Sequence, residues 1–290
     1  MLPLEVWLKV IASGLFTGLV YGLSALGLSV IFGVMRVVNF AHGEMMVLGM
    51  FAAVLLFRWF GLEPLWAVPI VGVLLFALGY VLQAGVVNRL IQAPEHMQFL
   101  LMASVAIVLL NLCLMVFGPN AQNVPLAWSY DSWEVAGLVL DKTRVLAALA
   151  ALLLAGLLFA FFRFSKTGTA IRACADNFRG AQIVGLNVNR LYAFTFGIGA
   201  ACVGAAGAIV LMLVDVHPHL AVEYTLLAFV IVIVGGLGSQ VGALVGGMLI
   251  GASEAIAALL LSPSLKSLVS FGLLIAVLLF RPQGLLGQNK

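Results

Sequence analysis

The distance between charges constrains this chain more than any motif in it. Twenty-six uncharged residues separate Lys9 from Arg36, 25 separate Glu63 from Arg89, and 24 separate Arg190 from Asp215. A helix needs roughly 20 apolar residues to cross about 30 Å of hydrocarbon, so each run is a membrane span with room to tilt. Met97 to Gly118 and the 18 residues between Arg144 and Arg163 add two more, while the 13 between Glu44 and Arg58 and the 14 between Lys266 and Arg281 are short. The expectation is an all-α integral membrane protein: a polytopic bundle of about eight or nine transmembrane passes.

Composition agrees and excludes other classes. Only 9% of the 290 residues are charged and 64% are apolar, against about 25% charged in a soluble domain. No stretch shifts in composition, so residues 1–290 read as one membrane-embedded domain whose surroundings are lipid. The 14 basic residues never form the dense stripe that phosphate binding requires, which excludes nucleic acid as a partner. Cys113, Cys174 and Cys202 stand too far apart for a disulfide framework or a Cys-x-x-Cys site. His217 and His219 lack a third ligand at helical spacing, so they read as a solvated loop and no metal is expected. The opening MLPLEVWLKV lacks the basic n-region of a secretory signal and should stay as a helix.

Positive loops stay in the cytoplasm, which orients the bundle. Residues 163–190 hold Arg163, Lys166, Arg172, Arg179 and Arg190 against Asp176 alone, and this loop is expected inside. Residues 119–141 carry Asp131, Glu134 and Asp141 and no Lys or Arg, and offer Trp128, Tyr130 and Trp133 to an interfacial belt. That loop is expected outside. Lys142 and Arg144, at the outer end of the following span, go against the rule. The side of the N-terminus stays open, because it depends on whether every short segment crosses.

Two segments are interrupted. The first, GVMRVVNFAHGE (Gly33 to Glu44), sets Arg36, Asn39, His42, Gly43 and Glu44 between apolar runs; the second, VGGLGSQVGALVGG (Val234 to Gly247), breaks the 30 uncharged residues between Glu223 and Glu254. Glycine clusters let backbone unwind. Unwound backbone at membrane depth must be buried in protein or line a watery cavity, and paired interruptions in two halves of a transporter mark a solute path. Candidate path residues are therefore Asn39, His42, Gly43, Glu44, Gly235, Gly236, Gly238 and Ser239. Two plainer alternatives stand beside this: a cytoplasmic turn for Arg36 to Glu44, and a helix-packing face for Gly238, Gly242 and Gly246, whose four-residue spacing matches Gly14, Gly18 and Gly22.

Catalytic signatures are absent. No G-x-x-x-x-G-K-[ST] run exists, nor G-x-S-x-G or H-E-x-x-H, so the chain is not expected to be an enzyme, bind a cofactor or hydrolyse ATP itself. In TGTAIRACADNFRGAQIVGLNVNR (Thr167 to Arg190) apolar and small residues alternate with Arg172, Asp176, Asn177 and Arg179. This predicts a short amphipathic helix, with Asn177 on its polar face, that lies on the bilayer surface or docks into a groove on a partner; its shortness and small residues favour the groove.

These pieces, with GLVYGLSALGLSVIFGVMRVVNFAHGEMMVLGMFAA near the start and RPQGLLG at the end, run over nearly the whole length and resemble the branched-chain amino acid ABC permeases of LivH type. The resemblance implies the permease subunit of an ATP-binding-cassette importer in a bacterial inner membrane, for branched-chain amino acids or a similar small solute such as urea or a small amide. Its partners would be a second related permease, two subunits that bind the ATP, and an external solute-binding protein. It also implies a cytoplasmic coupling helix, here Arg172, Ala173, Asn177, Arg179, Ala181 and Gly185, of which Ala181 and Gly185 match the family's general form and should face the ATPase. A stand-alone secondary transporter or channel is the competing expectation, disfavoured because only Glu44 and Glu254 bring an acid near a span.

Overall fold

A computed structural model describes residues 3–91, 93–129, 131–135, 138–261 and 265–287; Tyr130 of the expected aromatic belt lies outside them. The chain opens with α1 (Leu4–Met35), 32 residues long. It ends where Arg36 enters the left-handed region at φ 55° and its N–H returns to the Phe32 carbonyl at 2.8 Å, a conformation that costs a side-chain-bearing residue about 1–2 kcal/mol. Then follow α2 (His42–Phe60), α3 (Pro64–Leu82) running through a π-helical turn (Gln83–Val87) into the single turn α4 (Asn88–Leu90), and α5 (Glu95–Phe117). A hairpin of β1 (Ser132–Val135) and β2 (Leu138–Asp141) leads into α6 (Lys142–Phe164). Beyond it come α7 (Lys166–Asp176), α8 (Phe178–Ile183), α9 (Val188–Val210), α10 (Leu220–Gly235), α11 (Gln240–Leu260) and α12 (Lys266–Phe280).

Side chains write many of these boundaries. Asp141, Ser165, Asn177, Asn187 and Ser239 each accept a hydrogen bond from a backbone N–H in the helix that follows, supplying a partner to one of the donors every helix start leaves open. Among the described residues seven helical stretches are long and apolar enough to cross a membrane: α1, α2, α3 with α4, α5, α6, α9 and α11. With the shorter apolar α10 and α12, of 16 and 15 residues, this gives the polytopic helical bundle expected.

The bundle has two distinct ends. At one, the Trp128 indole donates to the Glu63 carboxylate at 3.2 Å, Gln122 and Val216 pair through their backbones, and Arg144 donates to Ser13 and Thr17 of α1. The start of α1 therefore shares an end with residues 119–141. Lys142 and Arg144, the exceptions to the charge rule, are compensated there: Lys142 lies 2.9 Å from Asp131 and Arg144 lies 3.5 Å from Asp141. At the other end Asn88 bonds the Asn189 carbonyl, and the C-terminal Leu285 and Leu286 N–H groups reach the carbonyls of Val234 and Gly235.

The glycine stripes of α1 and α11 face each other. A Cβ added at Gly18 would stand 2.5 Å from the Gly247 carbonyl oxygen, and one at Gly247 would stand 2.5 Å from the Gly22 Cα. Such backbone contact is available only to small residues, and it decides for packing in the Gly242 to Gly251 part of the second interrupted segment.

Candidate functional site

The first interruption is a true break in the helix. After Arg36 the chain runs without helix through Val37, Val38, Asn39 and Phe40 and restarts at His42. Val37, Asn39 and Ala41 are buried, and Phe40 packs against Phe99 of α5 and Phe229 of α10, centroids 4.5 and 5.2 Å away. From Val37 to Ala41 the unwound chain is buried or half-buried in protein, while Arg36 at its start is exposed. Asn39 completes the turn: its Oδ1 accepts the Ala41 N–H at 3.0 Å and its amide reaches Met45 Sδ.

Around the restart lies a polar cluster built from three helices. His42 Nε2 is 3.1 Å from the Ser24 carbonyl and 3.3 Å from its hydroxyl. A carbonyl can only accept, so Nε2 carries a hydrogen; Nδ1 is buried with no partner among the described residues. The Gly43 N–H donates to Thr225 Oγ1 of α10 at 2.9 Å. A Cβ at Gly43 would fall 1.9 Å from the Ala221 carbonyl oxygen, so only glycine lets α2 start against α10. Glu44 is 6% exposed and its Oε2 has no partner among the described residues. Two unmatched polar atoms inside an apolar bundle mark a costly place.

The second interruption is placed differently. Gly235 and Gly236 are buried, with Gly235 against the backbone of Gly242 and Gly236 against the C-terminal Leu286 and Gly287. Ser239 caps α11 through the Gly242 N–H at 3.0 Å. Gly238 touches the first segment at Gly33, where a Cβ would stand 3.2 Å from the Gly238 Cα. Asn39, His42, Gly43 and Glu44 are thus gathered near Thr225, whereas Gly235 stands ten residues further along α10, about 15 Å at 1.5 Å per residue, with Gly236, Gly238 and Ser239 just past its end. The two interrupted segments touch where Gly33, near the end of α1, meets Gly238, but the two sets of candidate residues do not form one cluster.

The stretch from Thr167 to Arg190 departs from its expectation. It is two helices, α7 and α8, bent at Asn177, which caps α8 by accepting the Gly180 N–H at 2.9 Å; a residue expected to be merely polar makes the corner. Ala181, expected to face a partner, is buried in a small core with Cys174 and Val188, where burial also pushes the Cys174 thiol up. Gly185 is exposed at φ +86° with nothing within 4 Å of its missing Cβ. Its turn closes α8, so glycine serves backbone conformation there and not close contact. Arg172, Ala173 and Arg179 are exposed. The prominent exposed apolar groups are Phe178, Ile183 and Val184, members of the apolar pattern read from the sequence, which are 45%, 86% and 76% exposed.

Ser24 and Thr225 were also missed. Both lie inside apolar runs, and Thr225 meets Gly43 across 182 positions, a pairing that no local pattern signals.

The model of the family described as branched-chain amino acid transport system / permease component matches residues 10–278. The chain belongs to this family. It is similar to the high-affinity branched-chain amino acid transport system permease protein BraD of Pseudomonas aeruginosa, 30% identical over 98% of this chain and 97% of that protein. LivH of Escherichia coli K12 is 30% identical over 98% and 96% of the two chains, and LivM of the same organism 27% identical over 94% and 69%. No solved structure matches. Membership makes this a transport permease and not an enzyme, and its seven long apolar helices make it a multi-pass membrane protein.

Proposed function

We propose that this permease forms the translocation path for branched-chain amino acids in an ATP-driven importer of a bacterial inner membrane. It would work with a second related permease, two ATP-binding subunits and an external solute-binding protein. The family match over residues 10–278 carries this reading, and the names of BraD and LivH supply the solute class. The chain has no P-loop of its own, which assigns ATP to partners.

The end holding Arg89, Arg163, Lys166, Arg172, Arg179, Arg190 and Arg281 is cytoplasmic by the positive-inside rule, which puts the start of α1 outside. In this scheme α7 and α8 dock on an ATPase through Phe178, Ile183 and Val184, with Ala181 and Gly185 shaping the element from within. ATP closes the ATPase pair, and the docked helices move as rigid bodies and switch the face to which the path opens. Asn39, His42, Gly43 and Glu44, with Ser24 and Thr225, are the polar group the solute passes. Gly235, Gly236, Gly238 and Ser239 sit at the inner mouth, where the Gly33 contact lets α1 and α11 shift together.

Buried acids for ion coupling are few. The chain alone in liposomes should therefore accumulate no leucine under a proton or sodium gradient. Gradient-driven uptake without ATP would overturn the importer reading in favour of a stand-alone carrier.

A further inference from the structure

We infer that the outward face of α5, marked by Ser104 and Asn111, is the surface on which the second, related permease packs; this rests on the importer reading above. α5 is loosely held by its own chain. Of its 23 residues only Met102 and Cys113 are buried, and Phe99 and Phe117 tie it to Phe40 and, through a stacked pair at 4.1 Å, to Phe51. At 100° per residue Met102 and Cys113 fall on one side of the helix, and Leu100, Ser104, Ile107, Val108 and Asn111 fall opposite.

That opposite face is exposed, and it is not wholly apolar. In the interiors of the seven long apolar stretches, the polar side chains that the described residues expose are Ser104 and Asn111; the rest are buried or half-buried. Ser104 is satisfied within its helix, its hydroxyl donating to the Leu100 carbonyl at 2.8 Å. Asn111 is not: its amide nitrogen donates to the Ile107 carbonyl at 2.7 Å, and a second N–H and a carbonyl oxygen remain. Hydrocarbon offers those groups nothing, whereas a neighbouring helix does, and polar side chains in spans accordingly face other helices. An uncharged helix face that offers one open amide fits a protein of the same build. This chain is similar to both LivH and LivM of one organism, so such a relative is the fitting occupant.

The test uses the full assembly in native membranes. A photo-crosslinking residue at Ile107 or at Asn111 should join this chain to the second permease, and the adduct should vanish when the subunits are separated in detergent before illumination. N111L should weaken recovery of the second permease roughly three- to thirtyfold while the amount of this chain in the membrane stays unchanged, and N111Q should restore part of it. If the second permease co-purifies but neither position crosslinks to it, or if N111L leaves recovery intact and raises thermal stability, the face meets lipid and the inference falls. An adduct of twice this chain's mass would replace the related permease with a second copy and overturn the partner. Labelling of a cysteine at Asn111 by a water-soluble reagent in the assembly would make the face a wall of the path and overturn packing. Failure to recover any second permease would overturn the importer reading as well.

Discussion

α9 and α5 have the same length, 23 residues, and both have uncharged middles, yet sixteen residues of α9 are buried and only two of α5. The difference lies in side-chain size. α9 carries Gly197, Gly199, Gly204 and Gly207 among alanines and meets α1, α2 and α3 at backbone distance, Gly199 against the Gly27 carbonyl, Gly207 against the Met46 carbonyl and Gly197 against the Phe76 carbonyl. α5 carries Leu, Ile, Val and Met, which cover a helix and hold neighbours away. In lipid, apolar character does not draw helices together; small residues allow close approach and polar ones reward it. Hydropathy finds both helices, and size separates the inside one from the outside one.

The largest effect should come from breaking the α9 packing. Gly207→Val places a Cβ 2.4 Å from the Met46 carbonyl oxygen, against backbone that cannot rotate away, and should cost about 3 kcal/mol or more. Loss of monodisperse protein on size-exclusion chromatography would show it. Leu112→Ala on exposed α5 should cost under about 1 kcal/mol by thermal unfolding; comparable losses at both positions would erase the distinction between the helices.

The same contrast recurs in α7 and α8, with Ala181 buried and Ile183 exposed. If Ile183 is the docking surface, Ile183→Asp pushes an unpaired charge into the contact and should lower ATPase co-purification by about tenfold or more while the chain still inserts. Unchanged recovery would leave the face free. Asn177→Ala removes the cap of α8 and should destabilise that corner by about 1 kcal/mol, seen as faster amide exchange in residues 178–183 alone. The smallest change concerns chemistry and not folding. Cys174 is buried with its thiol pushed up, so with Cys113 and Cys202 removed it should react with maleimide at least about tenfold more slowly than a cysteine placed at exposed Gln182. Equal rates would mean that α7 and α8 do not hold their small core.

Much of this was legible in the residues. Gaps between charges located the spans, because charge is the one property the bilayer interior excludes strongly. The four-residue spacing of Gly14, Gly18 and Gly22 foretold close packing, and Gly33 to Glu44 announced its break. Contacts between distant helices were not legible: the Gly43–Thr225 bond and the Ser24–His42 pair depend on where α10 and α1 arrive. Ala181 misled because a small residue in an amphipathic pattern fits a tight partner contact and a tight internal one equally well. Asn177 misled because asparagine is polar on a helix face and also an excellent cap.

The measurement that bears most directly on the central claim is uptake of labelled leucine into liposomes holding this permease with its second permease and ATPases, with the solute-binding protein outside and ATP within. Leucine accumulation should need ATP and the binding protein together and be lost with Ile183→Asp. Accumulation indifferent to ATP, or none with the whole assembly present, would contradict that claim.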